Sequence, residues 1–282
     1  MQKITQGAFI LMVVLLAVNA CKTDSKTDKV QHPGSPDSSL VSVKTAESTE
    51  DTIVYDEFYF PDDTNFMAKI LTTGIFHEDE VWTGADQLKW FGLFYNRSNV
   101  YLAETKITAS RVHDEISDDS EDDKTGWEIK AMNQDTAYML IAGLDFLKNR
   151  KIEPLYLPKR QLIPGDSLKF NHLGVEYCLY ATGNKRKHDE DGVWYEIWNY
   201  RLYLAAKINN QWKKDLLVAC PSFDDAMIDL IFAGDIDGDG FLDLIIDTSN
   251  HYNGMNPTLF LSKPAEKGHL IKVVGEHGSV GC

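Results

Sequence analysis

Between Gly234 and Asp243 the chain reads Gly-Asp-Ile-Asp-Gly-Asp-Gly-Phe-Leu-Asp, so that Asp235, Asp237, Asp239 and Asp243 fall at positions 1, 3, 5 and 9 of one short loop. Four carboxylates about 5 Å apart repel one another by roughly 0.8 kcal/mol per pair even in water, or about 5 kcal/mol over all pairs. A divalent cation reverses that sign. The four side chains and the Phe241 carbonyl at position 7 offer only oxygen, and so many oxygens suit calcium better than magnesium. Gly238 and Gly240 supply the backbone freedom, including positive φ, that lets so short a loop wrap an ion.

The flanks of the loop decide its setting. Upstream, Ile228, Leu230 and Phe232 alternate with Asp229 and Ile231; downstream, Leu242, Leu244 and Ile246 alternate with Asp243, Ile245 and Asp247. A period of two predicts strand, loop, strand. A helical calcium hand would need a bidentate Glu at position 12, and that position is Ile246. Phe232-Ala233-Gly234 leading into Asp-x-Asp-x-Asp-Gly-x-x-Asp and Leu-Ile-Ile resembles the calcium loop of the FG-GAP repeats of integrin alpha chains and many secreted bacterial proteins. That resemblance implies calcium held by Asp235, Asp237, Asp239, Phe241 and Asp243 within a blade-like β unit. The motif occurs once in the chain, and one blade does not close a propeller ring.

At the other end, Lys3 precedes an apolar run from Ala8 through Val18 and then small residues before Cys21. This is the pattern of a secretory signal over residues 1–20, too short for a spanning helix. Val18-Asn19-Ala20-Cys21 resembles the lipobox of bacterial lipoproteins, which implies lipidation of Cys21. Several acyl chains would anchor the protein firmly, each buried CH₂ contributing about 0.8 kcal/mol. Residues 21–52 are Lys, Thr, Ser, Asp and Pro with almost no apolar side chains, a composition that cannot bury enough surface to fold. They read as a tether reaching roughly 30 Å from the membrane. The expected address is the bacterial cell envelope.

The remainder is globular in composition, with 43% hydrophobic and 11% aromatic residues over the whole chain, ample for a core. We expect a mainly β fold, propeller-like or sandwich, with a mixed, mostly β region over 53–163 and an all-β region over 164–282, divided softly at Pro164-Gly165. Asp63 and Thr64 predict the cap of a short helix running through Leu71. Leu88 to Tyr95 and Val100 to Val112 predict a hairpin, and Thr136 to Ala142 another strand. Beyond the boundary, strands are predicted over Ser167 to Asn171, Val175 to Ala181, Val193 to Ile208 and Trp212 to Ala219, the last two joined at Asn209-Asn210. The segment from Asp114 to Asp123 holds seven acids in ten residues and reads as a solvated loop.

A net charge of −15 argues against nucleic acid and anionic lipid head groups as partners, since both would be repelled. Trp194, Tyr195, Trp198, Tyr200 and Tyr203 suit cross-strand packing, with a sugar-stacking platform as the weaker reading. There is no phosphate-binding loop, no Cys-x-x-Cys and no close histidine pair. Cys178, Cys220 and Cys282 permit at most one internal bridge. Cys220 with Cys282 is favoured because it would staple the tail across the acidic loop, although spacing alone leaves other pairings open. The sequence therefore points to a binding or structural module with an unidentified protein or glycan partner. The alternative is an envelope hydrolase using Glu190 and Asp191, or His251.

Overall fold

The computed structural model describes residues 53–281 apart from 63–64, 98, 121 and 188–193. In the first half, strands run β1 (Lys69–Leu71), β2 (Gly74–Phe76), β3 (Trp90–Asn96), β4 (Asn99–Thr105), β5 (Ile107–Val112), β6 (Gly126–Ala131), β7 (Thr136–Ala142) and β8 (Arg150–Ile152). In the second half come β9 (Ser167–His172), β10 (Val175–Lys187), β11 (Tyr195–Ile208), β12 (Gln211–Ser222), β13 (Asp229–Gly234) and β14 (Asp243–Asp247). Short β15 (Gly254–Met255), then β16 (Pro257–Leu261), β17 (Lys272–Glu276) and β18 (Ser279–Val280) complete the series. The fold is mainly β, as the alternating patterns predict.

The described residues form five antiparallel sheets, the small β15-β18 pair and four that stack face to face. The outermost on one side is β2-β6-β5; next to it lies β1-β7-β3-β4-β8; then comes β13-β14-β16-β17; and β12-β11-β10-β9 covers the far side. Three apolar cores separate them. Trp90, Leu140 and Leu71 face Trp127 and Ile129 in the first; Leu93, Met139 and Ile141 face Ile245, Leu259 and Val274 in the second; Leu244, Ile246 and Phe260 face Leu179, Tyr200 and Leu202 in the third. The two middle sheets are thus buried on both faces, which requires unbroken apolar runs such as Leu244-Ile245-Ile246 and Met139-Leu140-Ile141. Among the described residues no sheet closes into a barrel and no propeller ring forms.

Several local expectations change. Residues 63–64 lie outside the described residues, no helix occupies Asn65 to Ala68, and Lys69–Leu71 is a strand; pairing with β7 outweighs the local helix signal. Among the described residues the helical content is one 3₁₀ turn at Ala85–Gln87. The strand expected from Val100 to Val112 breaks at Lys106, where the chain leaves one sheet for the next. The alternation of Leu230 with Phe232 is also broken. A bulge between them sends Leu230 to the third core and Phe232 to the second.

The acidic segment is not wholly solvated. Asp114 is buried and accepts hydrogen bonds from the Ile116 and Ser117 N–H groups, with the His77 ring at 2.8 Å. Burial opposes its charge, but these partners more than offset it and hold its pKa near 2. Asp118 accepts from the Asp114 N–H and from Thr125. Two acids therefore close the loop internally.

Residues 53–163 and 164–282 share their cores, and 52–282 form one compact unit. The Leu155 N–H donates to the Ala233 carbonyl and the Leu230 N–H to the Arg160 carbonyl, so the chain between β8 and β9 runs along β13. At the aromatic strand, Tyr200 is buried with its hydroxyl on the Leu162 carbonyl, and Tyr203 stacks on Tyr180 across the pair. Trp194 alone of that set stands mainly in solvent.

The middle sheets meet edge to edge as well, where the Ala68 N–H donates to the Val274 carbonyl at 2.8 Å. A Cβ on Gly275 would lie 2.6 Å from Ile70 Cγ1 and 3.0 Å from the Ala68 carbonyl oxygen. Gly275→Ala is expected to destabilise the protein by about 1–3 kcal/mol through overpacking. Urea unfolding checks this, and an unchanged midpoint would show that the junction has slack.

Candidate metal centre

The loop joins β13 to β14 at the pair Gly234 and Asp243. Two apolar side chains pin it from opposite sides: Ile236 enters the second core and Leu242 the third, both essentially without solvent contact. The Leu242 N–H also donates to the Tyr177 hydroxyl at 3.2 Å. With Ile236 turned inward, its neighbours Asp235 and Asp237 face the loop interior. Gly238 and Gly240 adopt φ of 82° and 90°, the left-handed region expected of them. Gly238 has a second reason to lack a side chain, since a Cβ there would lie 2.5 Å from Arg150 Nη1.

Asp235, Asp237 and Asp239 converge, with one oxygen from each lying within 4.8 Å of the others. Oxygens on opposite sides of a calcium ion are separated by about 5 Å at most, twice the usual metal–oxygen distance. The spacing and the all-oxygen donor set therefore fit a hard divalent ion. Asp243 sits at the base of the loop with two hydrogen-bond partners at each oxygen. Oδ2 takes the Ile236 and Asp237 N–H groups at 2.6 and 3.0 Å; Oδ1 takes the Ser262 N–H at 2.7 Å and faces the Ser262 hydroxyl at 2.9 Å. Phe241 lies at the exposed rim, its N–H donating to Asp239 Oδ1.

Three partners of this centre carry no local signature in the sequence. Arg150, at the start of β8, makes two parallel 3.1 Å hydrogen bonds to the Asp235 carboxylate. The Ser262 hydroxyl lies 2.9 Å from both Asp239 Oδ1 and Asp243 Oδ1, and its single proton serves one of them at a time. The Lys263 N–H donates to Asp237 Oδ2 at 3.0 Å. Ser262 and Lys263 follow β16, whose pairing with β14 brings them to the loop. Only the assembled sheet reveals them.

The carboxylates divide electrostatically. Burial opposes the charge on Asp235, but Arg150 and the Gly238 N–H more than offset it and lower its pKa. Asp237 is pushed up to about 6, by burial first and then by the Asp239 and Asp235 charges. Asp243 is raised well above the ordinary range by burial and by Asp237. One aspartate already has a cation, while the two most deeply placed lack one among the described residues.

Other residues singled out in the sequence lie elsewhere. His251 is exposed and pairs with Asp224 at 2.8 Å. The nearby Ser249 hydroxyl donates to the His251 carbonyl rather than to its ring, so the two do not form a nucleophile and base. Glu190 and Asp191 lie outside the described residues, as do Cys21 and Cys282. The Cys220 thiol is buried and donates to the Ser222 carbonyl at 2.9 Å.

Comparison with protein-family models, curated proteins and solved structures finds no match to this chain.

The raised pKa of Asp237 has a consequence of definite sign. In metal-free protein its neutral form favours the folded state, a contribution complete below about pH 4, the ordinary carboxyl range, and lost as pH rises through about 6. Asp243 adds the same sign, whereas the stabilisation from Asp235 is lost only as pH falls below that range. Urea unfolding in chelator should show the wild type losing on the order of 2 kcal/mol relative to Asp237→Asn between about pH 4.5 and 7.5. A difference independent of pH would contradict the assigned burial of Asp237.

Proposed function

We propose that the protein is a lipid-anchored cell-envelope component whose β body is locked by calcium and serves as a binding or structural module. The observation that carries the calcium reading is the convergence of Asp235, Asp237 and Asp239 at metal-ligand spacing. Among the described residues Asp237 has no cationic partner within hydrogen-bond reach, and Asp235 alone of the loop aspartates is charge-paired, through Arg150. A divalent ion would supply what Asp237 and Asp239 lack, with the Phe241 carbonyl and Asp243 completing the proposed ligand set. Sites of extracellular type bind calcium at about 10⁻⁴ to 10⁻³ M, which suits a constitutive structural ion. The anchor reading rests on the apolar run and Val18-Asn19-Ala20-Cys21.

Linkage sets the size of the effect. Free calcium at about 100 times its dissociation constant adds roughly 2.7 kcal/mol to the folded state, so chelation should lower the melting temperature by several degrees. Asp239→Ala is expected to melt near the chelated wild type and to respond little to calcium, while Asp119→Ala in the other acidic segment keeps the full response. Arg150→Gln, which frees Asp235, should bind calcium more tightly in calorimetric titration. An unaltered response in Asp239→Ala would place the ion elsewhere. The anchor has its own test. Cys21→Ser should abolish acylation of the mature N-terminus, read by mass spectrometry of the membrane fraction, and an acylated variant would refute the assignment.

A further inference from the structure

The chain enters its folded body along a strap, residues 54–60, that is pinned at both ends. Asn199, a residue of left-handed φ on β11, accepts the Asp56 N–H on Oδ1 at 2.6 Å and donates from Nδ2 to the Val54 carbonyl at 3.0 Å, while the Asp56 carboxylate pairs with Arg201. At the other end Phe60 exchanges two backbone hydrogen bonds with Ala219 of β12, at 3.0 and 2.8 Å. Between these pins stand Tyr55, Phe58 and Tyr59. Tyr59 shares one cleft with Met255 and Val280, which belong to the β15-β18 pair. All five side chains are 48–55% exposed, and none belongs to the three cores. Single apolar side chains at a surface are ordinary, but a set gathered along one strap and cleft marks an interaction face.

The place of the strap in the chain says what covers it. Among the described residues it is the part of the body nearest in sequence to Cys21, with only the tether between them. An acyl anchor at Cys21 confines the body to roughly 30 Å from the bilayer and so holds this face there at an effective concentration of about a millimolar. A contact too weak to recruit a free protein is then well occupied. Tyrosine suits that setting, with its ring among the upper acyl chains and its hydroxyl among the head groups. Charge selects the lipid. Glu57, Asp62, Asp79 and Glu80 border the face, and neither the strap nor the cleft lining contains a Lys or Arg. An anionic bilayer would repel these acids, whereas a zwitterionic one would not.

We propose that the strap and the β15-β18 cleft form a membrane-docking face, which seats Tyr55, Phe58, Tyr59, Met255 and Val280 in the head-group region of a zwitterionic bilayer. This rests on the lipid-anchor reading and is independent of the acidic loop.

The test uses the acylated full chain in phosphatidylcholine nanodiscs that carry a nitroxide on the lipid head group, read by NMR of the methionine methyl groups. Met255 lies in the face. Met132 is at least as exposed but follows β6 at the end away from Trp127, whose indole N–H donates to the Glu78 carbonyl beside the cleft. The Met255 signal should be lost to the nitroxide while that of Met132 persists. Tyr59→Ser combined with Val280→Ser should restore it, with acylation verified by mass spectrometry and the melting temperature reported to show that the variant folds. Exchanging phosphatidylcholine for phosphatidylglycerol should restore it too. An acylated chain whose Met255 signal survives in phosphatidylcholine, or is lost equally in the double variant or in phosphatidylglycerol, overturns the docking and leaves the anchor standing. A chain without acyl groups overturns the anchor and the docking with it. Shifts at Met255 that follow protein concentration and not lipid would assign the face to a second copy, which overturns the proposal as well.

Discussion

The structure depends on sheets that are dry on both faces. β14 carries Leu244 and Ile246 into one core and Ile245 into another, so a register slip of one residue would still bury apolar groups. Something other than hydrophobic contrast must fix the register. Asp243, the first residue of β14, does so through four hydrogen-bond contacts to Ile236, Asp237 and Ser262. Ile236 and Leu242 add plugs of fixed position, one into each core. The acidic loop is therefore a clamp on the registration of the central sheet as well as a set of oxygens.

That double duty explains why four aspartates of similar spacing behave so differently. Asp243 has spent both oxygens on the backbone and one hydroxyl, and Asp235 is neutralised by a fork of hydrogen bonds from Arg150. Asp237 and Asp239 accept N–H groups and, among the described residues, face no cation. In a chain of net charge −15, an arginine committed to this loop offsets part of the negative charge gathered there. A metal ion entering there would meet Arg150 as a competitor for Asp235, which keeps the loop compact without metal and weakens metal binding by the same Coulombic interaction.

The sequence displayed the parts of this arrangement that are local. The odd spacing of the aspartates, the glycines with positive φ at 238 and 240, the strands on either side and the Asn209-Asn210 turn all follow from neighbours within a few residues. It did not display what depends on stacking. A continuous run such as Met139-Leu140-Ile141 does not say which side chain faces which sheet, and the bulge at Ile231 reverses a face that alternation alone would keep. The acids at 114 and 118 read as solvated because composition does not reveal that Ile116, Ser117 and Thr125 turn donors back onto them. Arg150 lies 85 residues from Asp235 and was invisible for the same reason.

The same strand joins the acidic loop to the turn at its opposite end. From Asp243 to Asp247 the chain advances four residues, about 13 Å at the usual rise. Asp247 Oδ1 accepts the Ser249 N–H at 3.0 Å and the Asn256 N–H at 2.8 Å, and so holds both flanks of the connection from β14 to β16. Thr248 continues that support, its hydroxyl lying 2.9 Å from Thr258 on β16 and 3.1 Å from Asn256 Nδ2. Asp243 fixes where β14 begins, and a strand paired on both sides transmits that position without stretching. The placement of Asn256 thus traces back, through one five-residue strand, to the carboxylate at the base of the acidic loop.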